Sequence, residues 1–405
     1  MNVIFLTITP IEDFSSPSVH IGVLKKFRDE GNNVYIVTPY ERKTGKKSKL
    51  VNLDGVHILH VRTGNITKCG MIEKGITTLA IDKLYIYAIN KYFKDIKFDP
   101  ILYSTPPITL YGAIKKIKSK HNVKSYLMLK DIFPQNAVDI GLIEKKGIKG
   151  LIYKYFRKKE IKLYKISDYI GCMSQANVDY VLNHNEYIKK ECVEICPNTI
   201  DIIDKSINYQ ERAKIRKKYN IPENDFVFVY GGNLGKPQGI PFLIKCLDKT
   251  RKLKNVTFLI VGDGTEYARL DDYIHRRKCS NIMLQKRLPK DDYDILVASC
   301  DVGMIFLDHR FTIPNFPSRL LSYMQAKIPV LAVTDPNTDI GKTIVEGGFG
   351  WWCESNDENG FVDIVLNIIN QKTDSIREIE FEYLKNNYSS GVAYSIISSH
   401  LKNVK

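Results

Sequence analysis

The feature that most constrains the fold is a regular alternation of strand-like and helix-like segments, which is interrupted once and then restarts. Short apolar runs such as NVIFLTI (2–8) and KSYLML (124–129) are separated by helical patterns. The alternation stops at PNTID (197–201), a polar stretch follows, and the alternation resumes at DFVFVY (225–230). Apolar strands joined by helices are typical of parallel sheets that are covered on both faces. The sequence therefore predicts an α/β protein with two Rossmann-like domains in tandem.

The predicted domain boundary lies at the interruption. We expect residues 1–200 to form the first domain, residues 201–384 to form the second, and a final helix at about 385–405 to return to the first. A chain of 405 residues exceeds one ordinary hydrophobic core, which also favours two domains. Ligands of such sheets bind at the carboxyl ends of the strands, so we expect the two sets of strand ends to face a central cleft.

Positive charge is concentrated in the first domain. Residues 1–200 contain 32 Lys and Arg against 19 Asp and Glu, whereas the rest of the chain contains 28 against 26. The densest stretch, 145–165, has nine basic residues and one acid, interleaved with apolar residues. This pattern predicts a basic amphipathic helix on an anionic membrane surface, with contacts from Lys154, Arg157, Lys158 and Lys159. A lysine-rich solvated face is the alternative, and no nucleic-acid motif accompanies the patch.

The cysteines and the apolar runs bear on the compartment. The eight cysteines contain no CxxC pair and no zinc-like spacing, and several lie in apolar runs that predict a buried core position. The beginning, MNVIFLTITP, resembles a strand rather than a signal peptide, and no apolar run is long enough to span a bilayer. We therefore expect a cytoplasmic protein that is peripheral at the inner face of the plasma membrane.

A glycine-rich stretch, YGGNLGKPQGI (230–240), lies between a strand and a helix of the second domain. Gly231 and Gly232 permit a tight turn and a close approach of the backbone to a ligand. Asn233 and Lys236 supply donors for a diphosphate near the start of the next helix. The spacing is not GxGxxG, so a nicotinamide cofactor is not expected. A simple strand–helix turn is the alternative.

Three later strands are followed by further candidates. Gly262 lies in the turn of FLIVGDGTE, and Arg287 follows the strand NIMLQ. In FTIPNFPSRLLS, a helix is predicted to begin near Ser318 and to place Arg319 in its first turn. A cation at a helix N-terminus is unfavourable unless an anion binds there, so Arg319 indicates a diphosphate site. The alternatives are a capped turn at Gly262, a surface cation at Arg287 and a solvated Arg319.

In the first domain, LKDIFPQNAVDIGL (129–142) places Lys130 and Asp131 at the carboxyl end of a strand. An acceptor hydroxyl needs a base or a positioning group at such a place. A loop carboxylate that caps the following turn is the alternative. Nearer the start, Ser15, Ser16 and Ser18 of FSSPSVH surround a helix start, where they shape the floor of the cleft or serve only as an N-cap.

Taken together, six stretches resemble the retaining glycosyltransferases of family 4, which have the GT-B fold. The resemblance is closest to the bacterial subgroup that builds capsule and O-antigen repeat units, including N-acetyl-fucosamine transferases. The stretches are DIFP (131–134), CPNTID (196–201), YGGNLGKPQG (230–239), IVGDG (260–264), SCDVGMI (299–305) and PSRLLSYMQAKIPVLA (317–332).

This resemblance implies a second domain that holds a nucleotide-sugar and a first domain that receives the acceptor. It implies transfer of a sugar, such as an N-acetylated amino or deoxy sugar, from a UDP-sugar to a polyprenyl-diphosphate-linked saccharide with retention of configuration. Arg319, with Arg287 and Lys236, would stabilise the leaving UDP in place of a metal ion. No cofactor is expected, and Asp131 would position or deprotonate the acceptor.

The sequence departs from the family pattern at the donor site. The family usually has two glutamates eight positions apart, the second of which contacts the nucleotide ribose; Pro314 and Ser322 occupy these positions here. The usual Arg and Lys of the first loop correspond to Asn233 and Gln238. Two other functions therefore stay open: a UDP-sugar 2-epimerase of the GT-B fold, and a non-catalytic subunit that scaffolds polysaccharide assembly.

Overall fold

The computed structural model describes residues 1–15, 18–67, 69–371 and 373–401. The chain divides into two compact units. The first unit contains Met1–Asp201 together with the segment that begins at Ser390, and the second unit is Ile202–Ser389. The chain thus passes from one unit to the other beside the interruption at PNTID (197–201).

The described residues form fourteen strands. The strands are β1 (Asn2–Leu6), β2 (Asn33–Glu41), β3 (Lys49–Leu53), β4 (Val56–Thr63), β5 (Pro100–Ser104), β6 (Lys124–Leu129), β7 (Tyr169–Cys172), β8 (Val193–Ile195), β9 (Phe226–Asn233), β10 (Val256–Asp263), β11 (Ile282–Gln285), β12 (Val302–Phe306), β13 (Val330–Thr334) and β14 (Gly350–Glu354).

Fifteen α-helices connect or follow these strands in the described part of the chain. The helices are α1 (Ile21–Asp29), α2 (Met71–Tyr92), α3 (Tyr111–His121), α4 (Gln135–Asp139), α5 (Gly147–Ile166), α6 (Gln175–Asn183), α7 (Tyr209–Lys218), α8 (Ile240–Thr250), α9 (Tyr267–Arg277), α10 (Lys290–Ala298), α11 (Arg319–Gln325), α12 (Ile340–Glu346), α13 (Glu358–Ile368), α14 (Asp374–Tyr388) and α15 (Ser390–Leu401). Short 3₁₀ helices cover Arg42–Thr44, Lys190–Cys192 and Lys236–Gln238.

The first unit has an eight-stranded sheet in the order β3-β4-β2-β1-β5-β6-β7-β8, in which only the edge strand β3 is antiparallel to its neighbour. Right-handed crossovers place α2, α3 and α5 on one face and α1 on the other. On the second face α15 packs against α1, so that Ala393, Ile397 and Leu401 complete the core around Leu24 and Phe27. The segments by which the chain leaves and re-enters the first unit are joined by a hydrogen bond, in which the Ser390 N–H donates to the Ile200 carbonyl at 3.2 Å.

The second unit has a six-stranded parallel sheet in the order β11-β10-β9-β12-β13-β14, the strand order of a Rossmann fold. The strands are buried on both faces; Phe228, Phe258 and Phe306 are among the largest fully buried side chains. β9 lies at the centre, where the strand order reverses between β10 and β12. The carboxyl end of β9 is therefore the topological switch point, the usual ligand position in such a sheet.

Two strands were not predicted from the sequence: β3 at one edge of the first sheet and β14 at one edge of the second. The final helical segment is interrupted, since the extended backbone of Ser389 ends α14 before α15 begins in the first unit. Among the three serines considered near the first helix, Ser16 lies outside the described residues.

Candidate functional site

Arg319 is the first residue of α11, in the second unit. Its guanidinium lies over the ring of Tyr230, with the central carbon 4.4 Å from the ring centroid. Its Nη1 atom is buried and has no hydrogen-bond partner, and among the described residues Arg319 forms no ion pair with a carboxylate. A cation held in this way retains unused donor capacity.

Three tyrosines, Tyr230, Tyr293 and Tyr323, form a cluster around this arginine. Burial opposes the charged guanidinium, but interactions with these hydroxyls outweigh it, and the net effect raises the pKa of Arg319. The Tyr323 hydroxyl accepts a hydrogen bond from the Gly231 N–H at 3.2 Å and lies 3.1 Å from the Met304 carbonyl. The cluster therefore ties α11 to the ends of β9 and β12 and fixes the arginine beside them.

The glycine pair at the end of β9 faces this cluster. A Cβ atom at Gly231 would lie 1.7 Å from the Tyr293 hydroxyl, so only glycine fits there. Gly232 has φ +125°, is exposed, and lies next to Arg319, whose Nη2 would be 3.1 Å from a Cβ at that position. Arg319 and an accessible backbone thus meet at the switch point of the sheet, where an anion would find both.

The other candidates of the second unit are arranged around this point at different distances. Gly262 of β10 pairs with Gly232 of β9, and a Cβ on Gly262 would lie 2.0 Å from the Gly232 carbonyl oxygen. Asn233 is exposed but donates to the Gln238 side chain at 3.0 Å. Lys236 is exposed on the adjacent 3₁₀ helix.

The remaining candidates lie farther from the end of β9 or make no contact that fixes them there: Arg287, Ser318 and Ser322. Arg287 is exposed beyond β11, which is separated from β9 by β10, so their strands lie roughly 10 Å apart. Ser318 is exposed, and its side chain makes no capping hydrogen bond to α11. Ser322 is half-buried one turn after Ser318. The structure therefore brings the glycines and Arg319 together but leaves Arg287 at a distance.

In the first unit, Asp131 lies just beyond the carboxyl end of β6. The Asn136 side chain donates to both of its carboxylate oxygens, at 2.7 and 2.8 Å. Burial raises the pKa of Asp131 to about 6, against the opposing effects of Asn136 and of the positive charge of Lys74. A carboxyl group with such a pKa is poised to exchange a proton near neutrality.

Lys130 forms hydrogen bonds within the first unit. Its ammonium group donates to the carbonyls of Cys196 and Pro197, at 3.3 and 3.2 Å, and burial lowers its pKa. These bonds connect the end of β6 to the loop after β8. The Lys130 side chain therefore points into the fold, and we no longer assign it an acceptor contact.

The four basic residues predicted on α5 separate into two groups. Arg157 forms an ion pair with the buried Glu160 and donates hydrogen bonds to the His184 carbonyl and the Asn185 side chain. These bonds hold α5 to the end of α6, so Arg157 stabilises the fold. We therefore withdraw it from the surface contacts. The other three carry free charge at the surface: Lys154 and Lys158 are exposed and Lys159 is half-buried.

The sequence did not single out the tyrosine cluster or Asn136. Tyr230 and Tyr323 had a detectable signal, because one precedes the glycine pair and the other lies one helical turn after Arg319. Tyr293 and Asn136 had none. Among the described residues, no group of His, Cys, Asp and Glu side chains is arranged to hold a metal ion, and no helix is long and apolar enough to cross a membrane.

The chain is similar to known proteins over this site and beyond it. A family model described as Glycosyl transferases group 1 matches residues 211–383, most of the second unit. A Pseudomonas aeruginosa protein named as the probable glycosyltransferase WbjE is 24% identical over 319 residues, which cover 77% of this chain and 76% of that protein. An Escherichia coli K12 protein named for colanic acid biosynthesis, the glycosyl transferase WcaI, is 32% identical over 223 residues, 54% of this chain and 53% of that one.

A solved structure extends the similarity to the whole chain. The crystal structure of Anabaena Alr3699/HepE in complex with UDP superposes with a TM-score of 0.72 at 16% identity and covers 100% of both chains. This likeness confirms the predicted GT-B fold, with its two Rossmann-like domains. Within this fold, residues 211–383 of the second unit are the part that is similar to the Glycosyl transferases group 1 family.

Proposed function

We propose that the protein is a retaining glycosyltransferase that moves a sugar from a UDP-sugar to a saccharide carried on a polyprenyl diphosphate, in the synthesis of a bacterial surface polysaccharide. The observation that carries the proposal is Arg319, a cation with a buried unpartnered Nη1 beside Gly232 at the switch point of the sheet. The Glycosyl transferases group 1 match and the names of the relatives support the reaction class.

The donor diphosphate would bind at the end of β9. Its oxygens would accept hydrogen bonds from Arg319 and from the exposed backbone near Gly232, while Lys236 adds positive charge from the side. As the bond to the sugar breaks, negative charge grows on the leaving UDP, and fixed cationic donors stabilise that charge. Gly262, Asn233, Ser318 and Ser322 would border the same position, and Arg287 would reach it only by extending its side chain.

The acceptor would be held in the first unit at Asp131. The carboxylate would accept the hydroxyl proton or orient the hydroxyl toward the sugar, and the amide of Asn136 would keep both carboxylate oxygens in place. Because the pKa of Asp131 is about 6, the carboxylate is mostly ionised at neutral pH yet still basic enough to accept a proton.

Metal-independent transfer is part of the proposal. Positive charge from Arg319 and Lys236 would take the place that a divalent ion has in other sugar transferases. We expect full activity in the presence of a chelator. Retention would appear as a new glycosidic bond with the same anomeric configuration as the UDP-sugar donor, measured by NMR of the product.

Binding of UDP tests the donor half of the proposal. A ligand that binds the folded state raises its melting temperature, so UDP should stabilise the wild-type protein in a thermal-shift assay. Arg319→Ala should bind UDP at least about tenfold more weakly and lower turnover by about 10²–10³-fold, as the loss of one charge-stabilising donor commonly does. Arg269→Ala, an exposed arginine on α9, is the matched control and should behave as wild type. Wild-type turnover in Arg319→Ala would remove this residue from the mechanism.

The same screen separates the two other functions. A 2-epimerase would convert a UDP-sugar to its epimer without any lipid-linked acceptor, which NMR of the nucleotide-sugar would detect. A scaffold subunit would show no UDP binding at millimolar concentration. Either result would replace the transferase assignment.

A further inference from the structure

The first three turns of α2 expose a stripe of large apolar side chains. Ile72, Ile76 and Leu79 are 82%, 65% and 46% exposed, and their spacing places them along one side of the helix. Ile72 and Ile76 also line an open groove of about 590 Å³, together with Gly64, Gly70 and Ala80. Exposed apolar side chains that form a contiguous patch usually mark a surface that meets a partner or a membrane.

The beginning of α5 carries a second group of the same kind. Leu151, Ile152 and Tyr155 are exposed within its first three turns. Phe156, on the same part of the helix, is turned inward and packs edge-on against Phe133 at 5.0 Å between ring centroids. Phe156 therefore packs this part of α5 against the fold, whereas the exposed side chains remain available to a partner.

Both helical starts extend past the beginning of α3, the helix between them. Asp82 accepts hydrogen bonds from the first N–H groups of α3, at Gly112 and Ala113, yet α2 begins eleven residues earlier, which is roughly 16 Å of helix. Lys162 lies over the ring of Tyr111, the first residue of α3, and α5 begins fifteen residues before it, roughly 22 Å. Since α2, α3 and α5 all run away from the carboxyl edge of the sheet, the two apolar groups project at that edge.

The rest of this helical layer is strongly basic. The helices α2, α3 and α5 contain fourteen Lys and Arg against three acidic residues. Each acid is used inside the unit: Glu73 pairs with Arg42, Asp82 caps α3, and Glu160 pairs with Arg157. Of the basic residues, Arg157 pairs with Glu160 and Lys118 pairs with Asp168. The exposed surface therefore combines a projecting apolar rim with an excess of lysines behind it.

We infer that this rim, Ile72, Ile76 and Leu79 of α2 with Leu151, Ile152 and Tyr155 of α5, inserts into the interface of an anionic lipid bilayer. Charge complementarity selects this occupant, because lysines behind an apolar edge match anionic headgroups above hydrocarbon. A second copy of the chain would bring the same lysines against each other and would be repelled.

This inference rests on the proposed function. It adds how the first unit would be oriented on the membrane when it binds the lipid-linked acceptor. Asp131 lies between the two projecting segments: Lys74 of α2 is near enough to affect its pKa, and Phe133, two residues further, contacts α5. Insertion of the rim would hold Asp131 close to the headgroup layer. A saccharide attached to a lipid diphosphate would then reach it without leaving the membrane.

Vesicle co-sedimentation of the full chain tests the inference. The probes are vesicles of phosphatidylcholine alone and of an equal mixture of phosphatidylcholine and phosphatidylglycerol. We expect binding to the mixed vesicles that weakens with salt. The triple variant Ile72→Ser/Ile76→Ser/Leu79→Ser should bind them at least about tenfold more weakly, since its hydrocarbon contact is lost. Ile76→Trp should show a blue shift of its fluorescence when the mixed vesicles are added.

The control removes three exposed apolar side chains from the second unit, Ile295→Ser, Leu366→Ser and Ile379→Ser, which are 44%, 39% and 47% exposed. It should bind vesicles as wild type does. Both triple variants should keep the wild-type thermal shift with UDP, which separates a failure of this inference from a failure of the donor site in the second unit. Circular dichroism and urea unfolding that match those of wild type show that the first unit of the α2 variant also folds.

Three results would overturn the inference: no binding of the wild-type chain to mixed vesicles, equal binding by the α2 variant, or an equal loss in the control. A concentration-dependent dimer that disappears in the α2 variant would assign the rim to a second copy instead.

Discussion

Arg319 is a cation whose neighbours in the fold are aromatic rings and a glycine of positive φ rather than carboxylates. Elsewhere in the second unit, the fully buried Arg216 shows the opposite arrangement, since it pairs with Asp301 and donates to several carbonyls. The contrast distinguishes an arginine that the fold satisfies from one that it leaves for a ligand.

Gly232→Ala tests this neighbourhood without changing a charge. Its φ of +125° is unfavourable for any residue with a side chain, so we expect a loss of about 1 kcal/mol in unfolding free energy. The new Cβ would also lie 3.1 Å from Arg319 Nη2, and UDP affinity should fall, measured by calorimetry.

Gly45→Ala is the control for backbone strain alone, because Gly45 has φ +69° and open space around it. It should lose comparable stability, measured by urea unfolding, and keep wild-type UDP affinity. Equal UDP affinity in both variants would mean that no ligand approaches Gly232.

Asp131→Asn should stabilise the protein at alkaline pH while it abolishes transfer. Burial raises the folded-state pKa of Asp131 to about 6 from 3.8, so its favourable contribution is complete below pH 3.8 and is lost as the pH rises through 6. At pH 8 the variant should therefore be more stable than wild type, by up to about 3 kcal/mol, and the gain should vanish near pH 4.

Chemical unfolding at several pH values measures this difference. If the variant has a lower free energy of unfolding than wild type at pH 8, the ionised carboxylate stabilises the fold rather than destabilises it. Asp139→Asn, a half-buried carboxylate on the neighbouring α4, is the comparison and should keep transfer activity.

At this scale the sequence could indicate which residues come together at the end of β9, but not which basic side chains are bonded within the fold. Arg319, Gly231 and Gly232 were singled out because each departs from a local rule: a cation lies at a helix start, and glycines lie at a strand end. Arg157 was assigned to the membrane surface and Lys130 to the acceptor, and both are bonded within the fold. Whether a basic side chain points outward depends on carbonyls and carboxylates distant in the chain, such as Cys196 for Lys130, and no local pattern contains that information.

At the scale of elements, the start of α3 depends on a side chain from another helix. Asp82 of α2 accepts from Gly112 N–H at 3.1 Å and Ala113 N–H at 2.7 Å, so one helix caps the next. Asp82→Ala should lower the free energy of unfolding by about 1–2 kcal/mol, because these N–H groups lose their acceptor.

Asp82→Asn keeps one acceptor oxygen and should recover part of that loss in urea unfolding. Neither variant should change the UDP thermal shift, because α3 belongs to the first unit. No loss in Asp82→Ala would mean that water replaces the carboxylate at the helix start.

Most elements could be predicted from apolar periodicity, and the exceptions have identifiable causes. β3 is short and carries lysine, so its composition does not resemble a buried strand. The Asp54–Gly55 pair, which joins it to β4 with Gly55 at φ +65°, was nevertheless a hairpin signal. The break between α14 and α15 is at Ser389, in a stretch of small residues, Ser389, Ser390 and Gly391, that interrupts the helical pattern.

At the scale of the whole molecule, the two units have different charges and different proposed partners. Hydrogen exchange should separate them: UDP should protect residues 230–239 and 317–325, whereas anionic vesicles should protect 71–80 and 147–156. Binding slows exchange only where it stabilises local structure, so each ligand should leave the other's peptides unchanged. Protection of 71–80 by UDP alone would contradict this division.

The division into two units was accessible from the sequence because the alternation of elements is interrupted and then restarts. The placement of the projecting helix starts was not. It depends on how far α2 and α5 extend relative to α3, which is set by contacts such as Asp82 with Gly112 that join positions thirty residues apart.

The position of α15 has a consequence for biosynthesis. Residues 390–401 fill the core of the first unit, but all of Ile202–Ser389 emerges from the ribosome before them. The second unit can therefore finish folding first, while the nascent first unit keeps an uncovered apolar surface beside Phe27 until its last helix is translated. A ribosome that stalls before residue 390 would release a chain with one native lobe and one that attracts chaperones.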